Sequence, residues 1–362
     1  MPESSIVVRP QPMGSASYTA GSRLQAAGLR PAMAIFTEAA SLVPLPRAPQ
    51  PIVIADYGAS TAHNSLLPIG AAIDVLRKRT RADHSILVLH TDVPDNDFTA
   101  MFRTLSDDPD TYLGKDPATF ASAIGRSFYE QIMPSGSVHL GWSSWAIQWL
   151  SKIPAPIPDH ILVAHSADKD ACAAYARQAA HDWHEFIAFR GRELRRGGRL
   201  VVMTMAVDDD GEFGYRPLFT AMMDALNELR GAGLVTEDEL HRICVPVVAR
   251  RESDFFAPFA PKGRFEQLEI DHLEVFNAED RFFNKYQVDR DAAAFGAEWA
   301  GFLKAAVLPA LTDMLDCSRQ DPRAARFLDQ LESGIAQRLA AAPEQMQIPL
   351  AHLVLIKRPK AR

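Results

Sequence analysis

The chain has 362 residues, 47% of them hydrophobic and 23% charged, which is enough apolar material for a large core and argues against disorder. Its formal net charge of −7 makes it a poor partner for nucleic acid. Cys172, Cys244 and Cys317 are far apart and form no Cys-x-x-Cys, which argues against a disulfide framework and a zinc site and for a reducing compartment. No window approaches 18 continuous apolar residues and the N-terminal stretch is not signal-like, so a cytoplasmic protein without membrane insertion is expected.

Residues 24–42 read as a helix interrupted by Pro31. Strand-like and helix-like segments then alternate. Residues 52–55 read as a buried strand, 66–78 as a helix, and 85–90 as a second strand. Residues 120–124 and 137–141 are further strands; 171–194 is a long helix, and Gly197-Gly198 turns the chain into a strand at 199–205. Alternation of this kind predicts a parallel sheet covered by helices on both faces. Asp208-Asp209-Asp210-Gly211 reads as a solvated loop rather than a metal site. Helices are predicted at 216–230 and 236–243, a strand at 265–276, one long amphipathic helix at 291–316, and a last strand at 351–356. The arginines of 190–199 allow a local basic patch, and His63 and His139 are expected in a loop and on a strand.

Four segments carry chemistry. IVIADYGASTAHN, residues 52–64, is an apolar strand ending in Asp56 and small residues, where a backbone can approach a ligand closely. It lacks the G-x-G-x-x-G of a dinucleotide site, so a charged amino-acid tail is a better guest than a pyrophosphate. Asp56 is placed to hold an ammonium group or, alternatively, to cap the next helix, and Asn64 to orient a carboxylate or the loop. Asp92 ends the second strand, where an acid accepts hydrogen bonds from ribose hydroxyls; the alternative is a solvated turn with Asp95 and Asp97. Ser127-Phe128-Tyr129 offers a ring and hydroxyls to flank an adenine, or Phe128 is plain core. Trp142, Trp145 and Trp149 are three and four apart, and on a helix they share one face, either as a ligand wall or as core.

In this order the segments resemble the SABATH family of S-adenosylmethionine-dependent methyltransferases, the salicylate, benzoate, jasmonate and theobromine-type enzymes. MGSASYTAGSRLQ, residues 13–25, is similar to the family's M-x-G-G…S-Y-x-x-N-S-x-x-Q, and IADYGASTAHNS to A-D-x-G-C-S-x-G-x-N-T. LHTDVPDNDFTAMFRTL resembles L-N-D-L-x-x-N-D-F-N-x-x-F. SFYEQIMPSGSVHLGWSSWAIQWLSKIP resembles S-F-Y-x-R-L-F-P-x-x-S-x-H-x-x-x-S-S-Y-x-L-x-W-L-S-x-x-P, the most specific match. FIAFRGRELRRGGRLVV resembles F-L-x-x-R-x-x-E-L-x-x-G-G-x-M-V. Ala59, Ala62, His63 and Trp145 depart from the pattern, and 158–171 is shorter than in plant members, which implies a bacterial-type member.

The resemblance implies an α/β fold of the class I methyltransferase type: a Rossmann-like, seven-stranded, mostly parallel sheet with a helical cap. It implies residues 1–50 closing over the active site, a core at 51–205, a cap at 206–262, and final strands with further cap helices at 263–362. The implied cofactor is S-adenosyl-L-methionine, held by Tyr18, Ser22, Asp56, Gly58, Asn64, Asp92, Val93, Ser127, Phe128 and Ser143. Gln25 and Trp149 are the implied carboxylate-binding pair, both N–H donors. Trp145, Gln148, Tyr215 and Phe219 are implied substrate walls, with Met222 and Met223 as further wall residues. The expected partner is a small carboxylic acid, the expected assembly a homodimer, and no metal is assigned.

The expected reaction is methyl-ester formation on a small aromatic or medium-chain fatty acid. Such an acid ionises with a pKa near 4–5, so no general base is needed. The alternatives are N-methylation of a purine-like ring, a non-catalytic cofactor-binding protein and, more remotely, a nicotinamide dehydrogenase.

Overall fold

The structure, a computed structural model, describes residues 29 and 31–358. Tyr18, Ser22 and Gln25, and most of the segment expected to close over the site, lie outside the described residues. Helix α1 (31–42) leads into strand β1 (Ile52–Tyr57), all six residues of which are buried. Helix α2 (His63–Arg77), β2 (Ile86–Asp92), α3 (Phe98–Asp107), β3 (Thr119–Gly125) and β4 (Val138–Ser144) follow. The long α4 (Lys169–Glu193) runs directly into β5 (Leu194–Met205).

The strand order is β3-β2-β1-β4-β5 and then two later strands, β7 (Pro349–Lys357) and β6 (Leu268–Asn277). Pairs among β1 to β5 are parallel, and β7 is antiparallel to both β5 and β6. This is the mostly parallel seven-stranded sheet that the resemblance implies. The near-continuous apolar runs of β1 and β7 reflect burial on both faces. One face is covered by α1 and α2 through Phe36, Leu66 and Ile69. The other is covered by α4 through Trp183, Phe186 and Ile187. Strand order reverses between β1 and β4, which leaves a crevice beyond their carboxyl ends.

Between β5 and β6 come α5 (Arg216–Gly231), α6 (Glu237–Arg242) and α7 (Glu252–Phe256). Between β6 and β7 come α8 (Arg281–Asp289), α9 (Ala292–Ala306), α10 (Leu308–Leu311) and α11 (Pro322–Ala341). Helices α5, α9 and α11 bury one shared cluster, including Leu218, Met222, Trp299, Phe327 and Leu331, which caps the crevice. Gly296 lets α9 approach α11, because a Cβ there would collide with the Ala336 carbonyl.

Several expectations need correction. The single helix expected at 291–316 is broken at Val307, whose φ of −128° is non-helical, and a short α10 containing Pro309 follows. Gly197-Gly198 is not a turn before a strand but a bulge inside β5, with Gly197 at φ +76° and the register jumping from Leu194 opposite Val138 to Arg199 opposite Leu140. The three tryptophans share no helix. Trp142 lies in β4, paired with Asp56 and Val201, while Trp145 and Trp149 sit in the turn after it. His63 opens α2 and pairs with Asp108 rather than lying in a loop. His139 is on β4 as expected; burial first, then Arg195, pushes its pKa down to about 4, and it accepts the Val53 N–H. Helices α3, α8 and α11 were not anticipated.

Candidate active site

The loop after β1 makes three left-handed residues, Gly58 (φ 81°), Ser60 (φ 49°) and Ala62 (φ 64°). Left-handed backbone is unusual for a residue with a side chain and marks a tightly held turn. It is held to the end of β2: the N–H groups of Gly58 and Ala59 donate to the Thr91 carbonyl, and that of Ser60 to Asp92 Oδ2 at 2.7 Å. A Cβ at Gly58 would collide with Ala146 and lie 3.4 Å from Phe128, so the loop, the Phe128 ring and the turn after β4 meet at this glycine.

Asp92 is buried, and its second oxygen accepts the Val93 N–H at 2.8 Å. Desolvation pushes its pKa up to about 6, against the lowering effect of the two N–H donors. Asp56 is turned toward the interior of the sheet. It neither caps α2 nor lines the cleft; its carboxylate meets His90 Nδ1 at 2.8 Å, and His90 Nε2 meets the Tyr112 hydroxyl at 2.7 Å, all three buried.

Ser127-Phe128-Tyr129 follows β3. Arg190 fixes this segment, donating to the carbonyls of Phe128 (2.7 Å) and Glu130 (2.8 Å). Arg190 pairs with Glu193 at 2.9 Å, both fully buried, and Glu193 also accepts the Tyr57 hydroxyl. The expected basic patch is therefore not continuous: Arg190 is interior, Arg195 reaches His139, and Arg199 pairs with Asp271.

The turn after β4 is densely tied. Trp145 adopts φ +56° and donates its N–H to the Met203 carbonyl. Gln148 spends its amide inside the protein, donating to the Trp145 carbonyl at 2.7 Å and accepting from Thr204 at 3.2 Å. Trp149 bridges to Val247, and Tyr129 donates its hydroxyl to the Trp149 carbonyl at 2.6 Å.

These parts line one cleft with about 1290 Å³ of space between atoms, its open mouth included. Gly58, Asn64, Asp92 and Phe128 line its sheet end; Trp145, Gln148, Trp149, Tyr215 and Phe219 line its cap end. Val93, Ser127 and Ser143 are not part of that lining: Ser143 donates to the Tyr57 carbonyl, and Ser127 Oγ accepts the Tyr129 N–H. Met222 is buried in the cap core, and neither it nor Met223 lines the cleft. Sequence reading missed Phe302, Val245, Val247, Val307 and Ala310 in the wall. Pro309 was the available signal for the last two, since proline inside a helical pattern marks a break. It also missed His165, whose ring packs on Phe213 and Phe219 with burial pushing its pKa down to about 4.

Among the described residues no group of three or more His, Cys, Asp or Glu side chains is placed to hold a metal ion. Asp208 Oδ1 accepts the N–H groups of Asp210 and Glu212, closing the loop expected there. No described helix is long and apolar enough to cross a membrane.

Sheet order, switch-point crevice and cap define a class I, Rossmann-like methyltransferase fold. The family description "SAM dependent carboxyl methyltransferase" matches residues 7–352, and the chain belongs to that family. It is thus an S-adenosylmethionine-dependent enzyme methylating carboxylates of small molecules. Gibberellic acid methyltransferase 2 of Arabidopsis thaliana is 26% identical over 81% of this chain and 80% of its own length. Salicylate carboxymethyltransferase of Clarkia breweri is 27% identical over 62% of this chain and 63% of its own length. Anthranilate O-methyltransferase 1 of Zea mays is 24% identical over 94% of each. A solved structure, loganic acid methyltransferase with SAH, has a TM-score of 0.75 at 21% identity, covering 97% of this chain and 99% of that one.

Proposed function

We propose that the enzyme forms the methyl ester of a small aromatic or medium-chain fatty acid. The observation that carries this reading is the single cleft running from the Gly58–Asp92–Phe128 end to the aromatic cap. The donor set suits S-adenosylmethionine: Gly58 leaves a cradle that a Cβ would fill, Asp92 is a buried acceptor suited to ribose hydroxyls, and Phe128 is a flat apolar wall. Asn64 completes that end; Val93, Ser127, Ser143, Tyr18 and Ser22 are assigned to the same role by resemblance. Asp56 is assigned to holding the sheet end through His90 rather than to contacting the cofactor.

Trp149, with Gln25, is assigned to hold the acid through N–H donors, and Trp145, Gln148, Tyr215 and Phe219 form its wall. Gln148 acts by fixing Trp145, since its amide is already engaged. Bound S-adenosylmethionine supplies an electrophilic methyl group for in-line transfer. The protein orients an acid that is already ionised and excludes water, and positioning of this kind lowers a barrier by roughly 7–11 kcal/mol. A cytoplasmic homodimer belongs to the same proposal. Incubation with S-adenosylmethionine and a mixed acid panel, read by mass spectrometry, should yield methyl esters. No ester from any acid overturns it.

A further inference from the structure

Phe128 lines the cleft beside Gly58, and Trp149 lines it against the cap cluster. The residue next to Phe128 reaches from one to the other: the Tyr129 hydroxyl donates to the Trp149 carbonyl at 2.6 Å. The rings of Phe128 and Tyr129 pack edge to face with centroids 4.7 Å apart. Burial raises the Tyr129 pKa, so its hydroxyl remains a donor.

Both ends of this link are anchored. At the Phe128 end, Arg190 holds the carbonyls on either side of Tyr129, and Glu193 takes the N–H groups of Ile132 and Met133. At the Trp149 end, Arg250 holds the Ile147 carbonyl at 2.7 Å, and Asp182 takes both the N–H and the hydroxyl of Ser151. Those anchors come from α4 and from the 245–250 segment. Tyr129 supplies one from the segment that carries Phe128 itself.

We propose that Tyr129 is a positioning residue for methyl transfer: its hydroxyl fixes the Trp149 main chain against the Phe128 wall, so that methyl donor and acid are aligned through one hydrogen bond. This rests on the reading of Trp149 as the acid's N–H donor. A misplacement of about 1 Å in such a site costs on the order of 10²-fold in rate, so one hydrogen bond at this point matters.

The test uses S-adenosylhomocysteine alone as the probe. The chain has five tryptophans, and in nitrogen-15-labelled protein the Trp149 indole signal is assigned by its loss in Trp149→Phe. Adding the probe should move that signal in the wild type. In Tyr129→Phe the movement should fall at least twofold while the probe's Kd stays within twofold. Equal movement in both proteins, or none in the wild type, overturns the proposal. Should Tyr129→Phe not fold, amide exchange in wild-type residues 145–151 serves instead. It should slow at least fivefold on adding the probe, and unchanged exchange overturns the proposal. With any acid that is turned over, Tyr129→Phe should lower kcat about tenfold with the acid's KM changed less than threefold. A kcat loss that only tracks the folded fraction argues against it. The probe arms need no acid, so failure to find an ester is separable from failure of the link.

Discussion

Lowering the pH through 6 should weaken cofactor binding, and the size of the effect follows from Asp92. Its carboxyl is buried at the end of β2, and desolvation raises its pKa from 3.8 to about 6. Ribose hydroxyls donate to the ionised form, so a bound cofactor selects it. At pH 5, one unit below that pKa, only about a tenth of the sites are ionised, and affinity should fall about tenfold from its value at pH 7.5, or about 1.4 kcal/mol. The ligand-free protein responds with the opposite sign. A carboxyl whose folded pKa is raised contributes stability that is complete below the unfolded value and lost as pH rises through about 6. Calorimetric titration with S-adenosylhomocysteine between pH 5 and 7.5 measures the effect. Asp92→Asn keeps the shape but cannot ionise, and it sets an amide donor against the Ser60 or Val93 N–H. Its affinity at pH 7.5 should be about 1.5–3 kcal/mol weaker and flat with pH. A wild-type Kd that does not change over this range, or an Asn variant that titrates with the same midpoint, refutes the reasoning.

Three further outcomes are expected. Gly58→Ala places a side chain at φ +81° and against Ala146; the left-handed backbone alone costs about 1–2 kcal/mol, and S-adenosylhomocysteine affinity should fall at least tenfold by calorimetry. Trp149→Phe keeps an apolar wall but removes the indole N–H, so kcat/KM for the acid should drop about 10–100-fold with S-adenosylhomocysteine Kd within twofold. Glu193→Gln leaves the fully buried Arg190 without its countercharge; the cost should be about 3–5 kcal/mol, seen as a fall of several degrees in Tm by scanning calorimetry.

The strands were legible where burial on both faces writes a continuous apolar run, as in Ile52–Tyr57 and Pro349–Lys357. Asp92 and Gly58 were legible because a polar or small residue closing such a run has a defined place at the strand end. The tryptophans misled because spacings of three and four fit a helix, whereas β4 continues through Trp142 to pair with both neighbours before the chain turns. Arg190 misled because charge in sequence suggests solvent. Here three acceptors, the carbonyls of Phe128 and Glu130 and the carboxylate of Glu193, make its burial tolerable. The cap wall was least legible. Val245, Phe302 and Ala310 are brought together by packing among separate segments, and no local period marks residues that meet only in three dimensions.

Strand β7 sits between β5 and β6 although it is made after both. On the ribosome, every cap helix emerges before the sheet can be closed, and partners such as Arg199 and Ile356 must find one another across the whole cap. A chain stopped before Pro349 would keep all the residues named in the cleft wall, none of which belongs to β7. It would also leave β5 as an open edge, a template for pairing with another copy, and β6 without its sheet partner. The nine-residue strand β7 therefore closes the sheet while adding no residue to the cleft wall, which it meets through Leu350 beside Met205.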